Sequence, residues 1–144
     1  MIYFDTSYML KCYLPEHGHA EVSELWRQSD DVVCSELGKA EFAAALHRHL
    51  REGRITSDGL NEVLATWRDD QAAGLWRWLP FDSAVIDAVV DSFERLPASV
   101  FLRSGDAIHL ACAREHELTQ IHTNDRHLKL AATHFGLTAC DVVP

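Results

Sequence analysis

Four short stretches of this chain carry a carboxylate where chemistry is the first question to ask. They are "FDTS" with Asp5, "KAEF" with Glu41, "SGDA" with Asp106 and "TNDR" with Asp125. Asp5 ends an apolar run. Asp106 opens a helical pattern whose following residues are almost wholly apolar, and at about 100° per residue Leu110 and Ala113 share its side. A carboxylate on a covered face needs a partner, and His109, one turn on, is a candidate. Glu41 lies about 100° from the centre of the stripe formed by Phe42, Ala45, Leu46 and Leu50, at the edge of a buried face. Asp125 follows one apolar run and opens another.

Each acid also has an ordinary reading. Asp5 and Asp125 suit helix N-caps worth about 1 kcal/mol, with Thr6 and Ser7 as rivals at the first position. Asp106 suits the helix dipole, worth roughly 0.3–1 kcal/mol. Glu41 suits a solvated helix face, and Glu36 in the preceding loop competes with it. Jointly the four say more, because two fall at strand ends and two on helices able to flank that edge. Two carboxylates ~4 Å apart repel by about 4 kcal/mol at an effective dielectric of about 20, so several gather only around a cation. Oxygen ligands without sulfur suit Mg²⁺ or Mn²⁺ rather than zinc.

The elements that must position these groups alternate. "IYFD" reads as a buried parallel strand, "SYMLKCYL" as a short helix stopped near Pro15, "HAEVSELWRQ" as a helix and "VVCS" as a second strand. "GKAEFAAALHRHLREG" is a helix with Gly53 as its stop, and Thr56 or Ser57 caps a second one reaching toward Ala73, which makes a helical hairpin. "WRWLPF" is a third strand. Asp82 and Ser83 cap a helix with Val85, Ile86, Val89, Val90, Phe93 and Leu96 on one stripe. A buried helix spans about Ser104 to His116. "QIHTN" is a fourth strand, "DRHLKLAATHF" a short helix stopped by Gly136, and "LTACDVV" a fifth strand. This alternation predicts an α/β fold with a central parallel sheet and helices on both faces, in one domain over residues 1–144. Ligands of such sheets bind beyond the strand carboxyl ends, where Asp5 and Asp125 fall.

Composition narrows the classes. With 47% apolar residues the chain can bury a core, and no run approaches the ~18 residues of a membrane span, so a soluble cytoplasmic protein is expected. A formal charge of −9 argues against a simple basic nucleic-acid binder, although carboxylates around a divalent cation make a nuclease acidic too. Cys12, Cys34, Cys112 and Cys140 form no C-x-x-C pair and read as small buried thiols.

Together the blocks "FDTSYML", "SELGKAEFAAAL", "RSGDAIHLACA" and "HTNDRHLKLAATHFGL" resemble PIN-domain ribonucleases, and most of all the VapC toxins of bacterial toxin–antitoxin pairs. The resemblance spans nearly the whole chain and implies a three-layer α/β/α sandwich. It implies Asp5, Glu41, Asp106 and Asp125 as the acidic quartet, catalytic and metal-binding, with Thr6 or Ser7 and Thr123 as supporting hydroxyls. It further implies Mg²⁺-dependent cleavage of RNA to a 5′-phosphate and a 3′-hydroxyl, a homodimer, and a cognate VapB-like antitoxin over an apolar groove near the helical hairpin. One ion or two is left open.

Among the basic residues, Arg103 and Arg126 flank two of the acids and suit RNA phosphates or acidic antitoxin residues, whereas Arg48 and Arg51 read as a solvated helix face. His47 and His49 diverge by ~200° on a helix and do not chelate one ion. Trp26, Trp67, Trp76 and Trp78 suit core packing or a partner interface more than base stacking. Three other functions compete. One is a PIN nuclease of RNA maturation without an antitoxin. A phospho-receiver-like domain would use Asp82, but lacks the acidic pair at the first strand and a lysine after the fifth. A dehalogenase-type phosphatase would want an acid where Ser7 stands.

Overall fold

The computed structural model describes residues 1–144. In chain order the elements are β1 (Ile2–Tyr3), α1 (Thr6–Tyr13), α2 (His19–Arg27), β2 (Val32–Ser35), α3 (Leu37–Arg51), α4 (Ser57–Ala72), β3 (Arg77–Leu79), α5 (Ser83–Arg95), α6 (Ser104–Glu115), β4 (Gln120–His122), α7 (Arg126–Ala131), a 3₁₀ turn (Ala132–Phe135) and β5 (Thr138–Cys140). β1 pairs with β2, β2 with β3 and β4 with β5, always in parallel. A parallel bridge between Phe4 and His122 joins the two ladders, and the Asp5 N–H donates to the His122 carbonyl at 3.1 Å. The strand order is therefore β3-β2-β1-β4-β5.

Alternate residues of these strands point to opposite faces. Phe4, Val32 and Cys34 pack with Tyr8, Met9, Phe42, Leu46, Trp67 and Trp76 from α1, α3, α4 and the approach to β3. Tyr3, Val33, Leu79 and Ile121 pack on the other face with α5, α6 and α7. Two helical layers thus enclose one parallel sheet, the expected α/β/α sandwich.

The local punctuation follows the sequence. Asp5, Thr56, Asp82 and Asp125 each accept from N–H groups of the helix they open. Leu14, held extended by the following Pro15, ends α1. Gly53, at φ +69°, ends α3 with its N–H on the Leu50 carbonyl and the Arg54 N–H on that of His49. Among the tryptophans, Trp67 and Trp76 are core residues: Trp67 stacks on Phe42, and Trp76 stacks between Trp26 and Trp78.

Two expectations need correction. On α5 the buried line is Val85, Ala88, Val89 and Ser92, while Ile86, Val90 and Phe93 face outward. Small Ala88 and Ser92 admit α6 closely, so the contact line lies one residue-step around from the bulkiest apolar stripe. Of the four cysteines, all free thiols, only Cys34 and Cys112 are buried; Cys12 and Cys140 are partly exposed. No helix is long and apolar enough to cross a membrane.

Candidate active site

After β1 the chain builds β2 and β3 on one side, then returns to β4 on the other. β1 and β4 are therefore neighbours whose following segments diverge, and a crevice opens beyond their carboxyl ends. A pocket of about 630 Å³ occupies this position. Its walls bring together Asp5 and Asp125 from the strand ends, Glu41 from α3, Asp106 from α6, the hydroxyls of Thr6 and Ser7, and Arg103.

Asp5 is almost fully buried. Its Oδ1 accepts from the Tyr8 N–H at 2.9 Å and the Ser7 hydroxyl at 2.7 Å, and its Oδ2 accepts from the Thr123 hydroxyl. Burial raises its pKa above the ordinary carboxyl range, against the pull of those three hydrogen bonds. Thr123 lies buried behind Asp5 and also accepts from the Asp125 N–H at 2.9 Å, while the Asn124 N–H reaches the Ser7 hydroxyl at 3.3 Å. The β1–α1 and β4–α7 turns are thereby tied to each other. Asp125 spends Oδ1 on capping α7, with the His127 and Leu128 N–H groups at 2.8 and 2.9 Å, and leaves Oδ2 toward the pocket. The cap reading and the site reading of these two acids are both true of the same side chain.

Glu41 Oε2 accepts from the Thr6 hydroxyl and from His109 Nε2 at 2.7 Å. Burial alone would raise the Glu41 pKa, but His109, Thr6 and Arg103 together lower it. Its Oε1 lies against Gly105, where a Cβ would come within 2.8 Å. Only a residue without a side chain lets α6 approach the glutamate this closely. Asp106 is raised by burial and by the charge of Asp125, with Arg103 pulling the other way. Arg103 bridges these two acids, its Nε 3.2 Å from Asp106 Oδ2 and its Nη2 3.6 Å from Asp125 Oδ2.

A family model supplies the deciding comparison: the PIN domain, "PIN domain" by description, matches residues 2–133. The chain belongs to the PIN-domain family. No curated protein matches it by sequence. Solved structures share its fold. VapC20 of Mycobacterium tuberculosis, described as a sarcin-ricin loop cleaving toxin, superposes with a TM-score of 0.70 at 17% identity, covering 91% of this chain and 95% of its own. FitAcB from Neisseria gonorrhoeae gives 0.74 at 21% identity, covering 96% of each chain. VapBC2 from Rickettsia felis, solved bound to a DNA fragment from its promoter, gives 0.66 at 12% identity and 98% of each chain.

Within this PIN domain some predicted contacts move. His109 does not partner Asp106; it turns inward to Glu41, and Arg103 takes its place beside Asp106. Arg126 is exposed at the start of α7 and does not line the pocket. Arg48, read as a solvated residue, is exposed but stands on the pocket wall one turn beyond Ala44. Its spacing of seven residues from Glu41, two helical turns, is the signal that places it there. Asp82, which a receiver domain would use, caps α5 beside the far edge strand β3, outside the pocket.

Proposed function

We propose that this PIN domain is a metal-dependent endoribonuclease of the VapC type, the cytoplasmic toxin of a toxin–antitoxin pair. The observation that carries this reading is the meeting of four carboxylates, from four separate elements, around one polar pocket at the β1/β4 switch point. Carboxylates without a thiolate suit a hard divalent cation. No three acidic, histidine or cysteine side chains stand close enough together to hold a metal ion among themselves, and Arg103 bridges Asp106 and Asp125. An open set of this kind fits Mg²⁺, with Mn²⁺ as a substitute, because Mg²⁺ keeps most of its waters and takes one or two carboxylates together with substrate phosphate. Asp5, Glu41, Asp106 and Asp125 are the residues that would hold it. When bound, such an ion lowers the pKa of a water and offsets phosphate charge.

The chain's own residues do the rest. Asp5 is immobilised by three donors and presents a fixed acceptor at the pocket floor. Glu41 from α3 and Asp106 from α6 both line the pocket, and either is suited to orient a water or take its proton. Arg103 supplies a forked cation for a scissile phosphate, or for an acidic antitoxin side chain, at the cost of its bridge to Asp106 and Asp125. The outward apolar face of α5, with Ile86, Val90 and Phe93, supports a homodimer. The description of the structural neighbour VapC20 as a sarcin-ricin loop cleaving toxin agrees with this role. Sequencing the RNA ends made by the purified protein tests the reading. Cuts bearing 5′-phosphates that need Mg²⁺ are expected, and Mg²⁺-independent or absent cutting overturns it. Growth arrest on expression of the chain alone separates a toxin from a maturation nuclease.

A further inference from the structure

We propose that His109 is a positioning residue, which, with Tyr3 behind it, fixes the carboxylate of Glu41 so that one oxygen is presented to the pocket. The proposal rests on the reading of that pocket as a metal-dependent site.

His109 is 2% exposed and lies in the middle of α6, on the side turned to the sheet. Both ring nitrogens are committed. Nδ1 lies 2.7 Å from the hydroxyl of Tyr3, a fully buried β1 residue, and Nε2 lies 2.7 Å from Glu41 Oε2. The Tyr3 hydroxyl itself accepts from the Ser35 N–H at 3.1 Å, at the end of β2. The Tyr3 and His109 rings meet edge to face, with centroids 5.9 Å apart at 83°. The imidazole therefore has neither a free rotation nor a free nitrogen. Because Nε2 faces a carboxylate, it carries the hydrogen, whether the ring is neutral or charged.

This matters for Glu41, which is otherwise a long side chain on a helix surface, a third exposed. Its Oε2 receives two donors, the Thr6 hydroxyl and His109 Nε2, with Thr6 Oγ1 and Nε2 only 3.3 Å apart. Oε1 is left without a protein donor and is turned toward Gly105. A buried histidine serving stability alone needs only some partner for each nitrogen. Here one partner is the pocket glutamate, and the other end of the chain of hydrogen bonds is anchored in the backbone of β2. Such outer contacts orient a ligating carboxylate, and their loss typically costs about 10–100-fold in affinity or activity.

The test is a double-mutant cycle on the full chain, read by direct Mn²⁺ binding in electron paramagnetic resonance titrations and by RNA cleavage kinetics. His109→Leu is expected to weaken Mn²⁺ binding about 10-fold and to lower kcat with KM for RNA nearly unchanged. His109→Gln, whose amide can still donate to Glu41, is expected to recover most of the loss. In a Glu41→Gln background, His109→Leu is expected to add nothing further. Tyr3→Phe covers the case in which His109→Leu does not fold, with a smaller loss in the same direction that also vanishes in Glu41→Gln. Additive losses in the two backgrounds, or unchanged Mn²⁺ binding beside a lowered unfolding midpoint, overturn the proposal while the nuclease reading stands. A wild-type chain that binds no Mn²⁺ overturns both.

Discussion

At the scale of the residue, the pocket shows acids with two duties each. Asp125 caps α7 with one oxygen and turns the other toward Arg103, and Asp5 caps α1 while its carboxylate lines the pocket, so a cap and a site are not alternatives here. Gly105 is the more exacting position. A methyl group there would stand 2.8 Å from Glu41 Oε1, and the glutamate's flexible end rather than backbone would give way. Gly105→Ala should therefore leave the melting temperature unchanged or slightly higher, since alanine favours helix by up to about 1 kcal/mol, while RNA cleavage falls about 10-fold. Loss of stability without loss of activity would show that the close approach has no part in the site. The four carboxylates were legible from sequence because each interrupts or edges an apolar pattern. His109 was legible as a partner for an acid, but not for the right one. Periodicity places residues around one helix axis, and it carries nothing about which residue of α3 faces α6.

At the scale of the element, the short strands and their helices follow the hydrophobic pattern closely, and α5 is the exception. Its bulky apolar residues form two adjacent lines, and the sequence pattern merges them. Contact with α6 selects the line containing Ala88 and Ser92, with the Ser92 hydroxyl folded back onto the Ala88 carbonyl at 2.6 Å. Small residues at a helix crossing are silent in a pattern that counts bulk. Val85→Ala should cost roughly 2–3 kcal/mol in denaturant unfolding, from lost burial and an unfilled cavity. Val90→Ala should stay within about 0.5 kcal/mol. Val90→Lys should likewise spare the fold but dissociate the proposed homodimer in sedimentation equilibrium. A chain that remains equally associated would remove α5 from that interface.

At the scale of the whole molecule, one network closes the chain onto its own site. Asp141, just after β5, accepts from Lys129 at 2.6 Å, from Asn124 at 3.0 Å and from the Tyr8 hydroxyl at 2.8 Å. Burial would raise its pKa, but these bonds, Lys129's foremost, hold it down at about 2, against an ordinary 3.8. A depressed carboxyl contributes stability that is complete above its unfolded value and is lost as pH falls through the folded one. Asp141 should therefore contribute up to about 2 kcal/mol that disappears between about pH 4 and pH 2. Asp141→Asn should lower stability at neutral pH and flatten that acid limb; an unchanged limb would assign the acid sensitivity elsewhere. The layered parallel sheet was readable from alternating strands and helices, but the strand order was not. Where β4 enters depends on pairing between segments more than a hundred residues apart, and that order is what places Asp5 beside Asp125. The central claim is that the acids so gathered carry a Mg²⁺-dependent hydrolysis of RNA. The most direct measurement is the cleavage rate of one RNA by matched wild-type and Asp106→Asn proteins in Mg²⁺ and in EDTA. The account predicts cutting by the wild type in Mg²⁺ only, and at least about 100-fold slower cutting by the variant. An Asp106→Asn protein that cuts as fast as wild type, or a wild type indifferent to EDTA, would contradict it.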